Sequence, residues 1–294
     1  MTTQTEPKPK PSAKDYKGRL KPIWCPGCGD YGVLSALLAA FADLEIDPDN
    51  LAIVSGIGCS SRLPGFVKSY GFHGLHGRAL PVALGVKLGS PHLTVLIVGG
   101  DGDGLSIGAG HFPHLARRNV DVTYMMLDNR IYGLTKGQTS PTTPHGIWTK
   151  TSPAGVVEFP MNPAALALCY GATFVARGYS SQVKPLKSLI MAAIQHRGFS
   201  LLQVLSPCVT FGRKCGFDAI ANSIKECPAE HDCRDASSAY QLATDPQNIY
   251  SGILYQEERP EFISTLQAMG GARGRELDDG APEIDVDRLV DQFS

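Results

Sequence analysis

The chain has 294 residues, a net charge of -1 and 43% hydrophobic against 19% charged residues. The length suits one large α/β domain or two smaller ones, and the composition is that of a globular chain with a substantial core. The near-zero net charge gives no electrostatic reason to expect nucleic acid or an anionic membrane as partner, and no apolar run is long enough to cross a bilayer. Residues 1–14 are polar, rich in Pro and Lys, and lack the apolar core of a secretory signal. They read as a disordered tail or an arm lying on a partner, and a cytoplasmic location follows. Eight cysteines are present. In a reducing compartment that number argues against disulfides and for metal or redox work by some of the thiols.

In chain order, Asp30–Asp43 reads as a helix with Leu34, Leu37, Leu38 and Phe41 at helical spacing. Residues 51–55 form a short apolar strand running into Gly56-Ile57-Gly58-Cys59, and residues 78–88 a second helix. Residues 93–98 are continuously apolar, as in a strand buried on both faces, and end at Gly99-Gly100-Asp101-Gly102-Asp103-Gly104. A helix is predicted over 106–118 and a strand over 120–127, ending at Asp128-Asn129. Helices at 163–170 and 182–196 then alternate with strands at 172–176 and 200–205. Strand and helix alternating with short links means parallel βαβ units. The predicted fold is therefore α/β, a parallel sheet flanked by helices. A flexible arm spans 1–19, the α/β domain 20–209, and an irregular extension 210–294, with a helical stretch at 284–293.

Ligands of a parallel sheet bind beyond the carboxyl ends of its strands. There, glycines let the backbone approach a phosphate, and the following helix offers its N-terminal amides. A carboxylate and an amide oxygen suit Mg²⁺, a hard ion that also takes phosphate oxygens. Asp101 and Asn129, at two such strand ends, can thus hold Mg²⁺ against a diphosphate bedded on Gly100, Gly102 and Asp103. A plain turn is the bland reading of Gly-Asp-Gly alone. A dinucleotide site is the rival, but a clean G-x-G-x-x-G with an acidic residue on the next strand is missing. The pattern resembles the thiamine-diphosphate enzymes, whose motif is Gly-Asp-Gly followed by Asn after roughly thirty residues. That resemblance implies the carbonyl of Ile131 as a third protein ligand of the metal.

Cys25-Pro26-Gly27-Cys28 places two thiols in one tight turn, able to bite one metal or one edge of a cluster, and two more ligands are needed. A zinc ribbon would supply a second C-x-x-C, which is absent. Cys59 and Cys208 each follow a strand and so lie at the ligand-binding edge of the sheet. Cys169 reads as a small core residue, and Cys215, Cys227 and Cys233 match nothing assignable. Together with Gly58-Cys59-Ser60-Ser61-Arg62, His76-Gly77-Arg78-Ala79, Tyr132-Gly133-Leu134-Thr135-Lys136 and Ser206-Pro207-Cys208, this set resembles the β subunits of 2-oxoacid:ferredoxin oxidoreductases. The resemblance covers most of residues 20–215.

It implies a [4Fe–4S] cluster on Cys25, Cys28, Cys59 and Cys208 beside the thiamine cofactor. It further implies cofactor contacts from Gly58, Ser60, Ser61, Gly133 and Leu134, and a catalytic contact of His76 with the cofactor or the substrate. Arg62 has the planar fork that a substrate carboxylate needs, with a surface arginine as the competing reading. Lys136 reads as a substrate or diphosphate contact, or as a solvated loop lysine. The implied activity is reversible, coenzyme-A-dependent oxidative decarboxylation of a 2-oxoacid, 2-oxoglutarate ahead of pyruvate, with electrons passing to ferredoxin. A larger α subunit is implied in an α2β2 assembly, supplying the pyrimidine-side glutamate and the coenzyme A site. The rivals are a thiamine-dependent lyase without redox work and a zinc-bearing scaffold.

Overall fold

The structure is a computed structural model that describes residues 10–212 and 215–269. Its helices are α1 (Asp30–Asp43), α2 (Ala79–Gly89), α3 (Phe112–Arg118), α4 (Pro163–Cys169), α5 (Val183–Gln195), α6 (Phe217–Ala221), α7 (Ala236–Ala243) and α8 (Phe262–Ala268). Its strands are β1 (Leu51–Ser55), β2 (Tyr70–His73), β3 (Thr94–Gly100), β4 (Val122–Asp128), β5 (Phe174–Tyr179), β6 (Phe199–Leu205), β7 (Ile224–Glu226) and β8 (Ile249–Gln256). They form one sheet in the order β2-β1-β3-β4-β6-β5-β8-β7. Every neighbouring pair is parallel except β5 with β8.

Alternate strand residues feed two apolar layers. Leu96, Val98, Met125 and Leu127 pack with Leu37 and Phe41 of α1 and Leu186 and Ile190 of α5. Val95, Ile97, Tyr124 and Met126 pack with Leu80 of α2, Phe112 of α3 and Ala164 of α4. Because both faces are covered, the central strands are largely apolar without alternation, with Thr123, Ser200 and Gln203 as buried polar exceptions.

β1 pairs with β2 on one side and β3 on the other, so the strand order turns between β1 and β3 and opens a crevice at their carboxyl ends. The register levels the strand ends: Gly100 lies opposite Leu127, and Asp128 opposite Leu205. The residues that follow, 56–62, 101–104, 129–136 and 206–211, therefore share one edge.

Several elements differ from the sequence reading. The helix predicted over 106–118 is a π-helical turn at Asp103–Ile107 followed by α3. The break comes where Gly108 lies against the Gly77 backbone, a contact no side chain would permit. β2 was not predicted; it is a short, exposed edge strand with no core-facing pattern. The extension is more regular than expected, since β7 and β8 continue the sheet and α7 packs on it. The stretch at 284–293 lies outside the described residues.

The N-terminal segment is no free arm in its described part. Tyr16 is buried against Phe41 and donates to the Ile46 carbonyl at 2.7 Å, and Gly18 N–H donates to the Phe66 carbonyl at 2.8 Å. Burying such a ring stabilises by about 1.5–3 kcal/mol, enough to hold a short polar stretch in place. Cys169, expected in the core, is exposed. It closes α4, whose buried face is made by Pro163, Ala164, Ala165 and Ala167.

Candidate active site

Asp101 follows β3 and is 1% exposed. Its Oδ1 accepts from Asn129 N–H at 3.3 Å and its Oδ2 lies 2.8 Å from the Thr142 hydroxyl. The same hydroxyl lies 2.8 Å from Oδ1 of Asp128, itself buried. A hydroxyl has one proton to give, and ionised carboxylates only accept. Two buried acids thus share one donor. Burial raises the Asp101 carboxyl above its ordinary range, and the charge of Asp128 raises it further. A divalent cation relieves this arrangement, so the donor set fits Mg²⁺. Asn129 Oδ1 accepts from Ile131 N–H at 3.0 Å, an Asx turn that leaves Ile131 buried just beyond it.

The cysteines gather on a neighbouring cavity of 340 Å³. Its lining includes Cys25, Cys28, Cys59 and Cys208 together with Asn129, Gly133, Leu134, Arg62 and Lys136. The first arm is a turn closed by Cys28 N–H donating to the Cys25 carbonyl at 3.0 Å. Trp24 anchors it: the indole Nε1–H donates to the Cys59 carbonyl at 2.7 Å and the ring packs edge-on against Phe66 and Tyr31. Gly58 turns the chain into Cys59 with φ 131°, a conformation that only glycine adopts without strain. Gly133 is the close-approach point. A Cβ there would lie 3.4 Å from Cys208 Sγ and 3.7 Å from Cys59 Sγ. Phe211 N–H donates to Cys208 Sγ at 3.4 Å.

Among the described residues, no three His, Cys, Asp or Glu side chains lie close enough for a single metal ion. The four thiols line one cavity, and a C-x-x-C turn with two further cysteines is a donor set that an iron–sulfur cluster takes. Burial pushes the Cys28 thiol up to about 12 and Cys59 up to about 11, with the nearby Asp30 charge adding to both and Arg62 opposing it at Cys59. These groups become thiolates only with strong positive charge beside them, which metal centres supply.

His76 and Asp103 form a separate unit. Asp103 Oδ1 accepts from His76 Nδ1 at 2.8 Å, from Ile57 N–H at 2.9 Å and from Gly77 N–H at 2.7 Å. Asp103 is 3% exposed and faces these loops. It binds the 56–58 and 76–78 turns to each other, a role the sequence reading did not give it. Ser60 Oγ lies against Gly100. Ser61 is fully buried, its hydroxyl without a hydrogen-bond partner, so it faces the interior. The Tyr132 ring covers Gly102 and its hydroxyl donates to the Gly102 carbonyl at 3.0 Å.

The edge thus brings the four cysteines, Arg62, Lys136, Asn129, Gly133 and Leu134 together, and sets Asp101 and Ile131 next to them. His76, Asp103 and Ser61 stand apart from that cavity. Sequence reasoning missed Asp128, Thr142, Ser206 and Asp30. Asp128 had a visible signal, an acid adjoining Asn129 at a strand end. Asp30 had one too, lying directly after Cys28-Gly29.

Residues 56–204 match the family model described as "Thiamine pyrophosphate enzyme, C-terminal TPP binding domain", so the site belongs to the thiamine-diphosphate enzymes. Residues 208–270 match the family model for the C-terminal part of the pyruvate ferredoxin oxidoreductase β subunit. The chain is 43% identical over 270 residues to subunit β of 2-oxoacid:ferredoxin oxidoreductase 2 of Aeropyrum pernix, covering 86% of each chain. It is 46% identical over 207 residues to the 2-oxoglutarate oxidoreductase subunit KorB of Mycobacterium tuberculosis, covering 70% of this chain and 55% of that one. The solved 2-oxoglutarate:ferredoxin oxidoreductase of Magnetococcus marinus, with 2-oxoglutarate, coenzyme A and succinyl-CoA bound, superposes with a TM-score of 0.89 at 41% identity, covering 97% of this chain and 96% of that one. This chain belongs to the β subunits of the 2-oxoacid:ferredoxin oxidoreductases. Among the described residues no helix is long and apolar enough to cross a membrane.

Proposed function

We propose that the chain holds the diphosphate of thiamine diphosphate through Mg²⁺ and carries a [4Fe–4S] cluster beside it. With an α subunit, in an α2β2 assembly in the cytoplasm, it would catalyse the reversible, coenzyme-A-dependent oxidative decarboxylation of 2-oxoglutarate in preference to pyruvate, with ferredoxin as electron acceptor. The observation that carries this is the convergence of Cys25, Cys28, Cys59 and Cys208 on one cavity that Asn129 also lines. Bound thiamine diphosphate supplies the carbanion chemistry at the 2-oxoacid carbonyl, and a cluster carries electrons singly. Asp101, Asn129 and the Ile131 carbonyl would hold the metal. Ser60, with its hydroxyl at Gly100, lies at the diphosphate edge. His76, fixed by Asp103 through Nδ1, offers Nε2 to cofactor or substrate.

Arg62 and Lys136 are the two cations lining the cavity, and they suit the two carboxylates of 2-oxoglutarate. Loss of a hydrogen-bonded charge pair costs about 1.5–3 kcal/mol. Arg62→Ala is therefore expected to lower kcat/KM for 2-oxoglutarate by about 10–100-fold and to affect pyruvate less. Equal losses on the two substrates would remove Arg62 from substrate selection.

The chain alone is expected to be inactive. The α/β block described above holds one side of a thiamine site, and the α subunit is proposed to add the pyrimidine-side glutamate and the coenzyme A site. The test is viologen reduction by anaerobically reconstituted chain, with and without the α subunit, using 2-oxoglutarate or pyruvate and coenzyme A. Turnover only in the assembly, faster with 2-oxoglutarate, supports the proposal. Robust turnover by the isolated chain would refute it.

A further inference from the structure

Arg177 stands in β5, opposite Gln203 of β6 and Gly252 of β8, and is 4% exposed. Its Nε donates to Gln203 Oε1 at 2.9 Å, and its Nη1 and Nη2 donate to the carbonyls of Tyr250 and Ala243, each at 3.4 Å. These bonds use three of the five N–H groups of a guanidinium, and all three acceptors are neutral. The Ala243 carbonyl closes α7, whose negative dipole end offsets only part of a full charge. Among the described residues Arg177 makes no ion pair. It reaches Asp128 only through Gln203, whose Nε2 donates to Asp128 Oδ2 at 2.8 Å. Arginine is almost never fully buried without a charged partner, because an uncompensated charge in the interior is costly.

Arg177 lines a cavity of 310 Å³ together with Arg130, Asp128, Thr142, Asp245 and Asn248. Arg130 also makes no ion pair among the described residues. Its backbone is left-handed, with φ 60°, a strained conformation for a residue with a side chain and one that clusters at ligand sites. The acids of the cavity are already engaged. Asp128 accepts from Arg130 N–H at 3.1 Å as well as from Gln203, and its Oδ1 lies 2.8 Å from the Thr142 hydroxyl. Asp245 Oδ1 accepts from Gln247 N–H at 2.7 Å and Asn248 N–H at 2.8 Å. Two guanidinium groups thus line one cavity without a counter-charge of their own, while its carboxylates are taken up by neighbouring donors.

We propose that this cavity binds a small oxyanion, the carboxylate or phosphate group of a ligand, held by Arg130 and Arg177. A guanidinium fork matches either group with two parallel hydrogen bonds, and the volume falls at the small end of ligand sites. The bound anion neutralises the two cations that the fold leaves uncompensated. The site shares no lining residue with the cysteine-lined cavity and does not depend on the cluster reading above. It backs on the proposed metal site through Thr142, whose hydroxyl also lies 2.8 Å from Asp101.

The test is calorimetric titration of the αβ assembly, preloaded with Mg²⁺ and thiamine diphosphate so that the diphosphate site is filled. Inorganic phosphate is the probe in one arm and malonate in the other, at fixed ionic strength. One saturable site per copy of this chain is expected, with a Kd of about 1 mM or tighter, and the arm that binds more tightly tells phosphate from carboxylate. Arg130→Gln and Arg177→Gln are each expected to weaken that binding about 10–100-fold. Arg130 is only partly buried, so its variant carries the test alone should Arg177→Gln fail to fold. Saturable binding of neither probe overturns the inference. Binding kept unchanged by Arg130→Gln, or by a folded Arg177→Gln, is an adventitious ion only and overturns it equally.

Discussion

Cys59→Ala is expected to strip the assembly of its iron–sulfur absorbance and to abolish viologen and ferredoxin reduction. Cys59 sits between the two other ligand arms. Its carbonyl accepts from Trp24 beside the Cys25–Cys28 turn, and its sulfur shares the Gly133 contact with Cys208. An Ala leaves three thiols where the proposed cluster takes four. The same loss is expected for Cys25→Ala, Cys28→Ala and Cys208→Ala. Cys169→Ala is the control, since that residue is exposed at the end of α4 and should keep full iron and full rate. The measurement is iron content with electron transfer, side by side for each variant. Full iron in Cys59→Ala together with loss in Cys215→Ala would put the cluster elsewhere.

The second large effect is expected at Asp101, with opposite signs in apo and loaded protein. Asp101 and Asp128 are both buried and share the Thr142 hydroxyl. Asp101→Asn removes one buried negative charge, so the metal-free variant should melt no lower than the parent. Loaded protein should behave in the reverse way. A ligand present at 100 times its Kd stabilises by about 2.7 kcal/mol, and the variant should lose that gain. Losing a ligand of the metal should weaken thiamine diphosphate binding by at least about 100-fold. Calorimetric titration with Mg²⁺ and thiamine diphosphate reads the affinity, and thermal melts with and without both read the stability. Unchanged affinity would detach Asp101 from the diphosphate.

The parallel sheet was legible in the sequence because both of its faces are buried. The runs at 93–98 and 200–205 carry no polar alternation; the first ends in the glycines and acids of the site and the second leads into Cys208. The edge strand β2 was not legible, since an exposed strand of four residues has no buried face to impose a period. The break between residues 107 and 112 was hidden for another reason. It arises where the Gly108 backbone meets Gly77, a contact between distant residues that local helical periodicity does not report. β8 was lost because it pairs antiparallel at the far side of β5 with a register shift near Ala176, outside the alternation that marked the other strands.

In the site, residue type and strand-end position were enough to bring out Asp101, Asn129 and the cysteines. Direction was not legible. Asp103 and Ser61 sit in the same glycine- and serine-rich motifs as Asp101 and Ser60, yet one turns to the 56–58 and 76–78 loops and the other to the interior. One residue along a turn reverses a side chain's heading, and sequence spacing alone does not carry that information. Asp30 stayed hidden because its hydrogen-bond partner, Ser206, lies at the other end of the α/β block.

The central claim is that four cysteines of this chain hold a cluster beside a thiamine diphosphate site. Iron and acid-labile sulfide, counted per copy of this chain in anaerobically purified assembly against the same assembly carrying Cys59→Ala, test it most directly. The account predicts that the parent holds about four iron and four sulfide per chain more than the variant. Equal iron in the two, or zinc in place of iron in the parent, would contradict it.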